Sequence, residues 1–61
     1  MRLFTLHDLI RLSRAELFAL HQRITRELAQ LPPGSPDRQI ALANLRSISR
    51  VLSRYEIELL R

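Results

Sequence analysis

Residues 31 to 35 read LPPGS, and no α-helix can run through them. Pro32 and Pro33 remove two backbone donors, and Gly34 accepts a positive φ that other residues resist. On either side of this break, apolar residues recur at steps of three and four. Leu17, Leu20, Ile24, Leu28 and Leu31 lie before it; Ala41, Leu45, Ile48, Leu52, Tyr55 and Leu59 follow it. Each set forms a stripe on one side of a helix. Two helices joined by about two to five residues usually fold back side by side. The pattern therefore predicts an antiparallel two-helix hairpin with the two stripes as its core.

Three helix starts carry capping chemistry. Thr5 and Asp8 form T-x-x-D, Ser13 and Glu16 form S-x-x-E, and Ser35 precedes Pro36 with Asp37 in the first turn. Such residues satisfy amide donors that the first turn of a helix leaves without partners. The expected helices span about 6–11, 14–31 and 36–59, and strand alternation is found nowhere. The fold class is all-α: a hairpin with a short N-terminal packing helix, making one small domain over residues 1–61. With 61 residues and no cysteine, neither disulfides nor thiolate metal sites can staple the chain, so apolar packing or self-association must hold it.

The apolar sector of the third helix is wider than one partner helix needs. Ile40 and Val51 flank its stripe on one side, Leu42 and Leu60 on the other, and the sector spreads to roughly 200°. The short N-terminal helix, with Leu3, Phe4, Leu6, Leu9 and Ile10, can cover one flank. Phe18 lies about 110° off the core line of the second helix. Phe18, Ile40, Leu42, Val51 and Leu60 are thus the candidate partner-binding residues on a flank left for another chain. Aspartate at Val51 or Leu42 is expected to leave the helices folded and destroy partner binding. Arg46, Arg50 and Arg54 repeat every four residues and fall about 180° from the stripe centre. They form a candidate electrostatic rim.

No constellation names a reaction. His7 and His21 form no H-x-x-x-H pair and have no nearby acid cluster, so neither a metal site nor a cofactor is expected. Ser47, Ser49 and Ser53 lack a histidine in triad-like context, and Glu56 and Glu58 point to different sides of a helix. A non-enzyme is expected. No apolar run approaches the ~18 residues of a membrane span and the N-terminus lacks a signal-peptide pattern, so a cytoplasmic protein without membrane attachment is expected.

A net charge of +4, with all ten basic residues arginine, keeps nucleic acid in view. Residues 38 to 55 hold no acid, and Asn44, Ser47 and Ser53 beside the arginines could contact phosphates. A hairpin turn of this kind favours near-antiparallel arms over a steeply crossed recognition helix, however, and aromatic residues do not stand among the arginines to stack bases. A chain that is 46% apolar with little interior has surplus hydrophobic surface, which suits association with another protein. The leading expectation is a small protein-binding regulator. A DNA-binding regulator using Arg46, Arg50 and Arg54 is the alternative, and a helical homodimerisation module is the third.

The block LSRAELFALHQRITRELAQLPPGSPDRQIALANLRSISRVLSR, residues 12 to 54, resembles small alphaproteobacterial proteins with the same plan of capped arm, Pro-Gly-Ser-Pro turn and leucine- and arginine-bearing second arm. S-x-x-E-L and PPGSPDR followed by ALANLRSI carry the likeness. Among these, the block resembles the QseM-type antiactivator family of rhizobial integrative conjugative elements. The resemblance implies a protein that binds and silences transcriptional activators of element transfer, including a LuxR-type quorum-sensing regulator and an activator of excision.

Overall fold

The computed structural model describes residues 2–59, with side chains through Tyr55. Three helices and, among the described residues, no strand make the fold all-α: α1 (Leu6–Ile10), α2 (Arg14–Leu28) and α3 (Pro36–Leu59). The second and third pack along one another as the expected hairpin, and α1 packs on α3.

Both predicted capping boxes form. The Asp8 amide donates to Thr5 Oγ1 at 3.1 Å while the Thr5 amide donates to Asp8 Oδ2 at 3.0 Å. Ser13 and Glu16 repeat the exchange, each bond 3.1 Å long. Ser35 Oγ accepts from the Arg38 amide at 3.2 Å and starts α3 behind Pro36. The amide of Thr5 and its hydroxyl, followed by the nearby Arg2, hold the Asp8 carboxyl below its ordinary range; the Ser13 amide and hydroxyl do the same for Glu16. A carboxyl depressed by folding adds stability above its unfolded-state pKa and loses it as pH falls through the folded value. Helicity monitored by circular dichroism should therefore decline on acidification through the carboxylate range. Asp8→Asn with Glu16→Gln, which keep neutral acceptors, should flatten that limb.

The second helix stops at Leu28, three residues before the expected end. Leu31 precedes Pro32, whose ring disfavours the helical conformation for the residue before it. The chain leaves α2 through tighter turns instead, with Gln30 donating to the Glu27 carbonyl and Leu31 to that of Leu28. Arg38 Nη1 reaches back to the Leu28 carbonyl at 3.5 Å. Across the turn the Ser35 amide donates to the Pro32 carbonyl, with Pro33 and Gly34 at the corner and Gly34 at φ +79°. This is a type II turn, which needs a positive φ at its third residue. A Cβ at Gly34 would meet nothing within 4 Å, so the glycine is required by conformation alone. Gly34→Ala should cost about 1–2 kcal/mol in thermal unfolding, whereas D-alanine at the same place should be neutral or stabilising.

Leu9, Leu17, Ile24, Ala41, Ile48, Val51 and Leu52 are buried, and Phe4, Leu12, Leu20, Leu28, Leu31, Leu45 and Tyr55 pack around them half-exposed. The side chain of Leu59, expected in this stripe, lies outside the described ones. The N-terminal segment occupies one flank of the hairpin. Leu9 is fully buried against α3, and Tyr55 Oη donates to the Leu12 carbonyl at 3.2 Å. Asn44, fully buried, accepts from the Phe4 amide through Oδ1 at 2.9 Å and donates from Nδ2 to the Arg2 carbonyl at 2.8 Å. One side-chain amide thus pairs with two backbone groups of the non-helical N-terminal segment. No helix among the described residues is long and apolar enough to cross a membrane.

Candidate protein-binding face

A two-helix hairpin has two lateral flanks, and the chain treats them differently. The flank carrying Asn44 and Val51 is closed by the N-terminal segment and α1. On the other, Phe18 of α2 stands 43% exposed and Leu42 of α3 40% exposed. Between them, Phe18, His21, Ser49, Leu52 and Ser53 line one depression, and Leu42, Leu45, Arg46, Ser49 and Arg50 line the next. Ser49 belongs to both, so the two join into one shallow groove. Ser53 Oγ donates to the Ser49 carbonyl at 2.9 Å, which satisfies that hydroxyl within the helix.

The candidate residues therefore separate. Phe18 and Leu42 share the open flank. Val51 does not: it is only 4% exposed, within the core. Nine residues separate Val51 from Leu42, which places them roughly 180° apart around α3. The flank of Val51 is the one α1 covers, although a depression lined by Ile10, Val51, Arg54 and Tyr55 remains at its edge. Ile40, four residues before Asn44, belongs to that same flank and is half-buried. Leu60 lies outside the described residues. Asn44, read from sequence as a phosphate-contacting neighbour of the arginines, is instead a fully buried clamp. The signal for this was its place in α3, three residues after Ala41 and four before Ile48, inside the apolar sector.

Arg46, Arg50 and Arg54 are exposed, and none has an ion-pair partner among the described residues. Arg46 and Arg50 border the open groove, while Arg54 borders Ile10 on the other flank. On α2 the Arg14 guanidinium sits 5.4 Å from the centre of the Phe18 ring, a cation–π contact that holds an exposed aromatic beside a charge. Three of the six acids are engaged away from these arginines. Asp8 binds Thr5 and Arg2, Glu16 serves its cap, and Glu27 pairs with Arg23 at 3.3 Å.

A second exposed apolar group comprises Leu3, Leu6 and Ile10 on the N-terminal segment. His21 contributes to the open groove. Among the described residues, no cluster of three or more His, Asp or Glu could hold a metal ion. Comparison of the chain with protein-family models, curated proteins and solved structures found no match.

Proposed function

We propose that this chain is a small, non-catalytic protein-binding regulator that uses its open α2–α3 flank to sequester a transcriptional activator. The observation that carries the binding reading is the pair Phe18 and Leu42, large apolar side chains left open on one flank of a hairpin whose other flank is closed by its own N-terminus. Desolvating exposed apolar area of this kind is favourable, at about 25 cal/mol per Å² before the costs of association. The class of partner rests on the resemblance of residues 12–54 to QseM-type antiactivators of conjugative elements. In that role the protein has no reaction to perform: occupying a surface that the activator needs is the whole mechanism.

The test is a pull-down from the native host with the tagged full-length chain, identified by mass spectrometry, followed by binding kinetics. An activator should be captured by the wild type and lost by Phe18→Asp, with helicity retained. The triple change of Arg46, Arg50 and Arg54 to glutamine should slow association and flatten its salt dependence while leaving the complex able to form, since rim charges act mainly on the rate of encounter. The exposed arginines, without ion-pair partners among the described residues, favour one competing reading, a DNA-binding regulator. Sequence-selective nanomolar binding to duplex DNA, abolished in the triple variant, would establish that reading in place of this one.

A further inference from the structure

We infer that the docking element received by the open groove is an acidic amphipathic helix of the partner, about three turns long, an assignment that rests on the protein-binding reading above. Its length follows from the groove, which runs along α3 from Leu42 to Ser53 and so spans roughly 16 Å. Its helical form follows from the hydrogen-bond supply. The covered flank holds the non-helical N-terminal segment because Asn44 offers its backbone an acceptor and a donor together. On the open flank the small side chains are Ser49 and Ser53, and the Ser53 hydroxyl is already donated within α3. An extended guest would find only His21, the Ser49 hydroxyl and the two arginines Arg46 and Arg50 to meet its backbone, with no paired acceptor and donor like that of Asn44, whereas a helix satisfies its own groups and needs mainly apolar contacts. Ser49 and Ser53, small and one turn apart, let its axis come close.

The guest's charge follows from the segregation of acids. Residues 17–26 and 38–55, which form the groove walls, contain no aspartate or glutamate. Arg46 and Arg50 stand along the rim without ion-pair partners among the described residues, while Asp8, Glu16 and Glu27 are held in caps or an ion pair. A guest with leucines at i, i+3 or i+4, and i+7 would lie on Phe18, Leu45 and Leu42, and glutamates along its edge would meet the two arginines.

The probe is a synthetic helix of about 14 residues with leucines at those spacings and glutamates beside them, titrated into the isotope-labelled full-length chain. A control peptide carries lysine for every glutamate. Amide shifts should concentrate at Phe18, Leu42, Leu45 and Ser49. Affinity should fall about tenfold in Arg46→Gln/Arg50→Gln, at least as much for the lysine peptide, and beyond detection in Leu42→Asp. The inference is overturned by shifts confined to Leu3, Leu6 and Ile10, by equal binding of the two peptides, by a free chain already dimeric through this groove, or by groove shifts that duplex DNA induces and the acidic peptide does not. Capture of an activator whose contacts lie elsewhere would sink this assignment and leave the regulatory role standing. A seated acidic peptide with no activator captured would do the reverse.

Discussion

Val51→Asp is expected to unfold the protein at ambient temperature, while Leu42→Asp leaves it folded and abolishes partner binding. Both place a carboxylate where a branched apolar side chain stood on the same helix. They differ in what surrounds it. Val51 is 4% exposed among core residues, whereas Leu42 is 40% exposed at the edge of the open groove. An unpaired carboxylate in an apolar interior costs several kcal/mol, and the apolar burial of valine is lost as well. A chain of 61 residues has roughly 3–9 kcal/mol of stability in all, so the first substitution consumes most or all of it. Far-ultraviolet circular dichroism and thermal melts decide the matter. A cooperative, fully helical Val51→Asp variant would show that α1 does not close its flank, and a helical Leu42→Asp variant that still binds its partner would remove the open flank from the site.

The contrast between these two residues also shows where sequence reasoning reached and where it stopped. The caps at Thr5, Ser13 and Ser35 are local, since each depends on residues within one turn, and all three form as read. The turn is legible for the same reason: Pro33 and Gly34 dictate its geometry with little help from the rest of the chain. Helical periodicity revealed that the apolar sector of α3 was too wide for α2 alone and that the short helix would cover one side. It could not say which side, because that choice depends on contacts more than forty residues apart in sequence, between Arg2 or Leu12 and Asn44 or Tyr55. Val51 and Leu42 looked equivalent until those contacts were known. The end of α2 was misplaced because the apolar rhythm continues to Leu31, which stays half-buried against the core after the helix itself has stopped at Leu28.

Replacing Asn44 should release the N-terminal segment from α3. In Asn44→Leu, two hydrogen bonds of 2.9 and 2.8 Å disappear together, and the Phe4 amide and Arg2 carbonyl must either stay without partners or move out to water. The expected loss is about 2–4 kcal/mol, from two net hydrogen bonds plus desolvated groups left behind, offset in part by the apolar side chain. Because Leu9 and the Tyr55–Leu12 bond are carried on the same segment, its departure would also expose Ile48 and Val51, so hydrogen exchange should quicken first at Phe4 and Leu9 and then along α3. Asn44→Asp separates the donor from the acceptor. Its carboxylate can still receive the Phe4 amide but presents an oxygen to the Arg2 carbonyl, and that repulsion, with burial, raises the folded-state pKa of the introduced group. A raised acid is favoured by folding when protonated, so the deficit relative to wild type should be small at low pH, where the proton restores a donor, and should grow as pH rises through the raised value. The difference in melting temperature between the two proteins, followed across pH, measures this directly. A constant difference would mean that the amide fills space without bridging the two backbone groups.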